Sequence, residues 1–235
     1  MLGNKTWEKN KMMDEYINHI THADCMDILP KLPNKCVDLV ITDPPYGMVN
    51  RESNGLRNLD KGVADIVEFD LNEYLDQIIR VCKGSIYIFC GHEQISDIFG
   101  KLNENKFSTR LIIWEKTNPS PMNGEYIWLS GIEPCVYGKR AGATFNGFCE
   151  NTVLRFPTEK ETIHATQKPI DMFAKLIRQS SKENDIVLDC FSGSGTTAIA
   201  CHRLKRNFIC IEKDENYYKI SSNRLEQEQK QTTMF

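Results

Sequence analysis

The sequence predicts an α/β protein built on a mainly parallel sheet with helices packed against it, and three observations carry that prediction. Short apolar runs rich in Ile, Val and Phe recur along the chain, stretches with apolar residues every three or four positions lie between several of them, and a glycine turn joins one late run to a helical stretch. With 235 residues, 40% hydrophobic and 26% charged, the chain suits one good-sized core with little room for a second. A single domain over 1–235 is therefore expected.

Taken in order, the runs at 17–21, 37–42, 85–90, 109–115, 133–138, 186–190 and 207–212 read as strands. Between them, 71–83 carries Leu71, Tyr74, Leu75, Ile78, Ile79 and Cys82 at helical spacing, and 170–180 and 196–204 behave alike, so each is expected to lay an apolar stripe on the sheet. Two segments fit no regular element: 47–69, with Gly47, Gly55 and Gly62, and 139–163, with Gly142, Gly147 and Pro157. Long loops in a compact domain usually carry function. The polar tail from Gln227 to Phe235 is expected to fray.

Composition narrows the function classes. No apolar stretch near Met12, Met13 and Ile17 is long enough for a signal peptide or a membrane span, so a cytoplasmic protein without a membrane partner is expected. Nine cysteines, an odd number with no CxxC pair, suit a reducing compartment and argue against a disulfide scaffold or structural zinc. His19 and His22, three apart on a strand, do not share a face, and no metal is expected. A net charge of −3 argues against nonspecific coating of nucleic acid. Only 101–178 is net positive, with 11 basic against 8 acidic residues, so any DNA-facing surface is expected there.

Two motifs carry chemistry. Asp43-Pro44-Pro45-Tyr46 directly follows the apolar run 37–42, which puts it at the carboxyl end of a strand, where open α/β sheets bind ligands. The prolines hold Asp43 and Pro44 extended, so the loop is stiff. Such a turn suits methyl transfer to an aromatic amine. That nitrogen is a poor nucleophile because its lone pair is delocalised into the ring; the Asp43 carboxylate and the Pro44 carbonyl could accept its two N–H bonds and favour a tetrahedral nitrogen. Tyr46 offers a flat ring on which an extruded base stacks.

The second motif runs Asp189-Cys190-Phe191-Ser192-Gly193-Ser194-Gly195-Thr196-Thr197 and leads into a helix. Backbone N–H groups of such a strand–turn–helix unit face a polar cofactor group. The next strand ends in Glu212, placed to grip two ribose hydroxyls. Taken alone, Gly193-x-Gly195-x-x-Ala198 also satisfies the dinucleotide fingerprint, so a nicotinamide dehydrogenase stays open at this point, although the late position of the glycine turn is awkward for one.

Together these stretches resemble the DNA amino-methyltransferases, in the class whose DPPY motif precedes the cofactor motif; the resemblance covers roughly residues 17–225. It implies a seven-stranded, circularly permuted sheet with helices on both faces, a Rossmann-like fold, and S-adenosylmethionine as cofactor. It also implies a catalytic half over 17–138, a small target-recognition loop over 139–163 and a cofactor half over 164–225. His164-Ala165-Thr166-Gln167-Lys168-Pro169 is similar to the family segment lining the methionine end of the cofactor, with alanine where proline is usual. Asp24 resembles the acid that reaches the cofactor adenine, and Cys25 a backbone donor beside it. Phe191 is expected near the sulfonium or the catalytic tyrosine.

A leading Asp, as in Asp43, accompanies N6-adenine methylation in this family, with N4-cytosine as the alternative and an RNA or protein methyltransferase as a more distant one. The resemblance further implies double-stranded DNA as substrate, a homodimer, and a cognate restriction endonuclease as partner. Arg51, Arg57, Lys139, Arg140 and Arg155 are the candidates to hold or read DNA. The stretches around Lys116 and Glu133 resemble family segments that shape the base pocket, with no catalytic role assigned. The whole reading requires the proline turn and the glycine turn to meet in one cleft.

Overall fold

A computed structural model describes residues 13–45, 70–119, 128–159 and 167–233. Among them, β1 (His19–His22) leads into the one-turn helix α1 (Cys25–Ile28), then β2 (Val37–Thr42), α2 (Leu71–Val81), β3 (Cys82–Phe89), α3 (Ile95–Glu104), β4 (Ser108–Lys116), β5 (Ile132–Lys139), β6 (Val153–Phe156), α4 (Ile170–Ser180), β7 (Ile186–Asp189), α5 (Thr196–Leu204), β8 (Asn207–Glu212) and α6 (Glu215–Thr233). The strands form one sheet in the order β1-β8-β7-β2-β3-β5-β4-β6. Every neighbouring pair is parallel except those made by β5.

Side-chain alternation builds a core on each face. On β3, Ile86 and Ile88 point to the layer of α1, α2 and α3, while Tyr87 and Phe89 point to the layer that α4 and α5 cover. In α2, Tyr74, Leu75 and Ile78 are fully buried, each contributing about 1.5–3 kcal/mol. The Asp70 carboxylate caps this helix by accepting from the N–H groups of Asn72 and Glu73.

Three differences from the sequence reading have physical causes. The sheet has eight strands where seven were expected; the extra one is β6, which lies inside the 139–163 segment taken as a loop and pairs with β4 at the edge. The tail does not fray at Gln227: α6 runs on to Thr233, tied by a two-pronged Arg203–Glu228 pair at 2.8 Å and by Lys230–Glu226 one turn apart. Helix α2 stops at Val81 and β3 begins at Cys82, with no intervening loop, although the apolar spacing suggests helix to 83.

Two residues into β3, Gly84 lies against β2. A β-carbon there would lie 1.9 Å from the Asp38 carbonyl oxygen, beside the register shift between β2 and β3. The two backbones approach too closely for any side chain. Gly84→Ala is accordingly expected to cost about 3 kcal/mol or more, which thermal unfolding should register as a fall in Tm of about 6–12 °C. An unchanged Tm would mean that the strands separate there at little cost.

Candidate functional site

β2 and β7 are parallel neighbours, with Leu39 opposite Val187 and Val40 opposite Leu188, so both carboxyl ends open on the same edge. From β7 the chain winds through α5 to β8, and from β2 through α2 to β3, on the other side. Ligands bind at such a switch point. Asp43, Pro44 and Pro45 leave β2 there, directly beside the glycine turn that leaves β7. β1 and β8 are likewise parallel neighbours, with His22 opposite Glu212.

The proline turn is anchored from several directions. Thr42 Oγ1 and the Tyr74 hydroxyl lie 3.0 Å apart beneath it, Pro44 is buried, and Gln94 Nε2 donates to the Pro45 carbonyl at 3.4 Å. Tyr46 lies outside the described residues, as do His164 and Thr166.

Asp43 Oδ2 takes the Lys168 ammonium at 2.5 Å, and the same nitrogen sits 3.0 Å from Glu133 Oε2; the other Glu133 oxygen holds Lys116 at 2.7 Å. Lys168 is 6% exposed and rests over the Phe89 ring. Burial works against its charge, yet Asp43 and Glu133 outweigh it and push the ammonium up. Burial likewise favours neutral Glu133, but Lys168 and Lys116 hold its carboxyl below the usual range. Lys168 thus sends its side chain to Asp43 and Glu133, while its backbone carbonyl meets the glycine turn by accepting from Thr196 Oγ1 at 3.2 Å. Sequence reasoning placed the stretches around Lys116 and Glu133 at the base pocket by resemblance and gave neither residue a catalytic role; no local signal marked their pairing with Lys168.

Around the glycine turn, Gly193 and Gly195 have φ of +50° and +83°, values that suit glycine. A β-carbon on Gly195 would press on Ser221 of α6, whereas no atom of the described residues lies within 4 Å of one on Gly193. The Glu212 carboxylate accepts from the N–H groups of Gly193 at 2.7 Å and Asp214 at 2.8 Å; burial raises it, and these donors only partly offset the rise. Arg224 donates to the Ser194 carbonyl, and the Phe191 ring meets Tyr74 edge-on at 5.3 Å. Asp24 caps α1 through the Met26 N–H and pairs with Lys213 at 2.8 Å; burial raises its carboxyl, but Lys213 and the Met26 N–H together hold it below the usual range. Cys25 is buried just after it.

Asp189 is 3% exposed, and burial pushes its carboxyl up to about 7, although Thr197 Oγ1 and the Phe191 N–H donate to it and pull the other way. The charges of Asp43 and Glu212 add to the rise. Because the folded value exceeds the unfolded one, the stability that Asp189 contributes is full below the ordinary carboxylate range and is lost as pH rises towards about 7. Denaturant midpoints measured from about pH 4 to about 8 should therefore decline more steeply for the wild type than for Asp189→Asn. Parallel curves would remove this residue as a source of the decline.

The DNA-contact candidates separate. Arg140 donates to the carbonyls of Ile79 at 2.9 Å and Cys82 at 3.2 Å and lies over the Phe107 ring, so it seals the α2–β3 junction at the opposite edge of the sheet and is not placed to read DNA beside the turns. Lys139 lies beside it, where β5 ends, and Arg155 of β6 pairs with Glu115 of β4. Arg51 and Arg57 lie outside the described residues. His22 stacks on Tyr218, and among the described residues no His, Cys, Asp and Glu cluster could hold a metal ion. No described helix is long and apolar enough to cross a membrane.

An open α/β sheet with a glycine turn and a stiff acid–proline turn side by side at its switch point defines an enzyme that brings a cofactor and an acceptor group together. The profile of a DNA methylase family, N6/N4 type, matches residues 37–127 and 125–223. Type II methyltransferase M.HinfI of Haemophilus influenzae is 32% identical over 91% of this chain and 69% of its own, and type II methyltransferase M2.MboI of Moraxella bovis is 27% identical over 88% and 86%. The crystal structure of the M1.HpyAVI–SAM complex superposes with a TM-score of 0.70 at 34% identity, covering 88% of this chain and 99% of the other. The chain belongs to the N6/N4 DNA methylase family and is an S-adenosylmethionine-dependent DNA methyltransferase. That membership resolves the ambiguity of the glycine fingerprint in favour of the methyl donor.

The residues present fit that donor. Gly193 leaves its backbone open to close approach, and the buried Ser192 Oγ and Gln167 Oε1 have no hydrogen-bond partner among the described residues, as expected of polar atoms that receive a ligand.

Proposed function

We propose that this enzyme transfers a methyl group from S-adenosylmethionine to N6 of an adenine flipped out of double-stranded DNA. The observation that carries the reading is the position of Asp43-Pro44 at the end of β2, hydrogen-bonded neighbour of the strand that delivers the glycine turn. The donor supplies an activated methyl group on a positively charged sulfur. Around it, Glu212 holds the ribose, Asp24 and the Cys25 backbone take the adenine end, and Asp189, Phe191, Ser192, Gly193, Ser194, Gly195, Thr196 and Thr197 form the turn beneath it. His164, Thr166, Gln167 and Lys168 line the methionine end.

Opposite that cradle, the Asp43 carboxylate and Pro44 carbonyl accept the two N–H bonds of the target amine, and Tyr46 stacks on the base. As the N–C bond formed and the methyl–sulfur bond broke, leaving a neutral thioether, positive charge would grow on the nitrogen, acceptors fixed in advance would stabilise that state more than the ground state, and the Asp43 carboxylate would be placed to take the proton the nitrogen loses. Pro45 stiffens the turn, so most of the acceleration comes from orientation. The leading Asp supports adenine over cytosine.

A type II designation of the relatives supports a cognate restriction endonuclease. A homodimer is supported by the distribution of apolar surface: every exposed large apolar side chain among the described residues, including Trp128, Ile132 and Phe148, falls within 111–153. Incubation with tritiated donor and duplex DNA, then nucleoside analysis, is expected to yield N6-methyladenine. Label found only in N4-methylcytosine would replace the base assignment, and label accepted by RNA but not by duplex DNA would replace the substrate.

A further inference from the structure

Four charged side chains from four separate segments line up at the carboxyl edge. Lys116 ends β4, Glu133 begins β5, Lys168 precedes α4 and Asp43 follows β2, and their charges alternate along contacts of 2.7, 3.0 and 2.5 Å. All are at least three-quarters buried, with side-chain exposures of 16, 20, 6 and 22%. Such a chain is costly to assemble away from water, and a neutral apolar set would serve stability as well. Its end point is therefore informative.

The prolines fix the backbone of the turn but not the two side-chain bonds of Asp43. The Lys168 ammonium bears on the plane of its carboxylate, and Glu133 in turn meets Lys168 and is itself held by Lys116 from the far side. The Lys168 backbone is tied independently to the cofactor turn through Thr196. We propose that Glu133, steadied by Lys116, is a positioning residue that acts through Lys168 to aim the Asp43 carboxylate at the target amine. A carboxylate has lone pairs enough to accept from Lys168 and from the amine together. The inference rests on the acceptor role given to Asp43 above.

Glu133→Gln keeps the shape and removes the charge. Its kcat for tritium transfer to DNA should fall about 10- to 100-fold, with KM for donor and for DNA within about twofold of wild type. Counting transferred tritium makes the readout independent of which base is methylated. In an Asp43→Ala background the same change should cost almost nothing further, because the group it orients is gone. Lys116→Met, which removes the ammonium that pairs with Glu133 and lies over the Trp114 ring, should reproduce part of the loss and serves if Glu133→Gln fails to fold. The proposal is overturned if Glu133→Gln retains wild-type kcat, if its loss is undiminished in the Asp43→Ala background, or if only KM moves. An Asp43→Ala enzyme with normal turnover would instead remove the acceptor role itself, and this inference with it.

Discussion

Asp43→Ala is expected to lower kcat for methyl transfer by at least about 10²–10³-fold while the dissociation constant for S-adenosylmethionine changes by no more than about twofold. The size follows from what a fixed acceptor contributes to a transition state in which charge develops on nitrogen. The selectivity follows from placement. Asp43 lies on the β2 side of the switch point, whereas the cradle is built from β7, β8 and β1. Single-turnover transfer together with calorimetric titration of the donor separates the two effects. Near-normal turnover, or a parallel loss of donor affinity, would defeat the assignment of Asp43 as acceptor. Removing the carboxylate also leaves the Lys168 ammonium with Glu133 as its described counter-charge, so Asp43→Asn is the cleaner companion variant.

Glu212→Ala is expected to do the opposite: donor affinity falls by about 10²–10⁴-fold, since two hydrogen bonds to a charged group are worth about 1.5–3 kcal/mol each. Its oxygens already accept from Gly193 and Asp214 at 2.7 and 2.8 Å, so the carboxylate is aimed before any donor arrives and shapes the turn as well. Loss of both bonds should loosen Gly193, and the N–H groups released there add to the loss. Transfer measured at saturating donor should recover much of the wild-type rate, because Glu212 makes no described contact with the proline turn. A donor affinity close to wild type would show that the ribose is gripped elsewhere.

Much of the framework was legible because it depends on local pattern. Strands 37–42 and 207–212 and helices 170–180 and 196–204 match β2, β8, α4 and α5 residue for residue, since buried parallel strands and amphipathic helices write their periods directly into the sequence. Helix α6 was missed because it has little apolar face; tyrosine stacking, the Arg203–Glu228 pair and close contact of Ser221 with Gly195 hold it in place. Helix α3 was missed because its stripe is short, with Ile98 and Leu102 as its buried residues. Strand β6 is four residues long, and its partner β4 lies about 40 residues back in the chain, so no local signal marks it. Arg140 was misread for a related reason: a lone arginine in a glycine-rich stretch looks like a surface charge until its carbonyl partners are known.

By itself the sequence determined the stiffness of Asp43-Pro44-Pro45, the left-handed turn at Gly193 and Gly195, the acid at the tip of β8, and the methyltransferase class that these imply. Those are properties of bonded neighbours, fixed by proline rings, missing β-carbons and alternation over a few residues. Only the tertiary structure decided that β2 lies against β7, and that Lys168 reaches back 125 residues to the Asp43 carboxylate with Glu133 and Lys116 behind it. Strand order and ion pairing across such separations depend on packing and register rather than on any residue's own preference, and a charge shows its role only when the charge facing it is known.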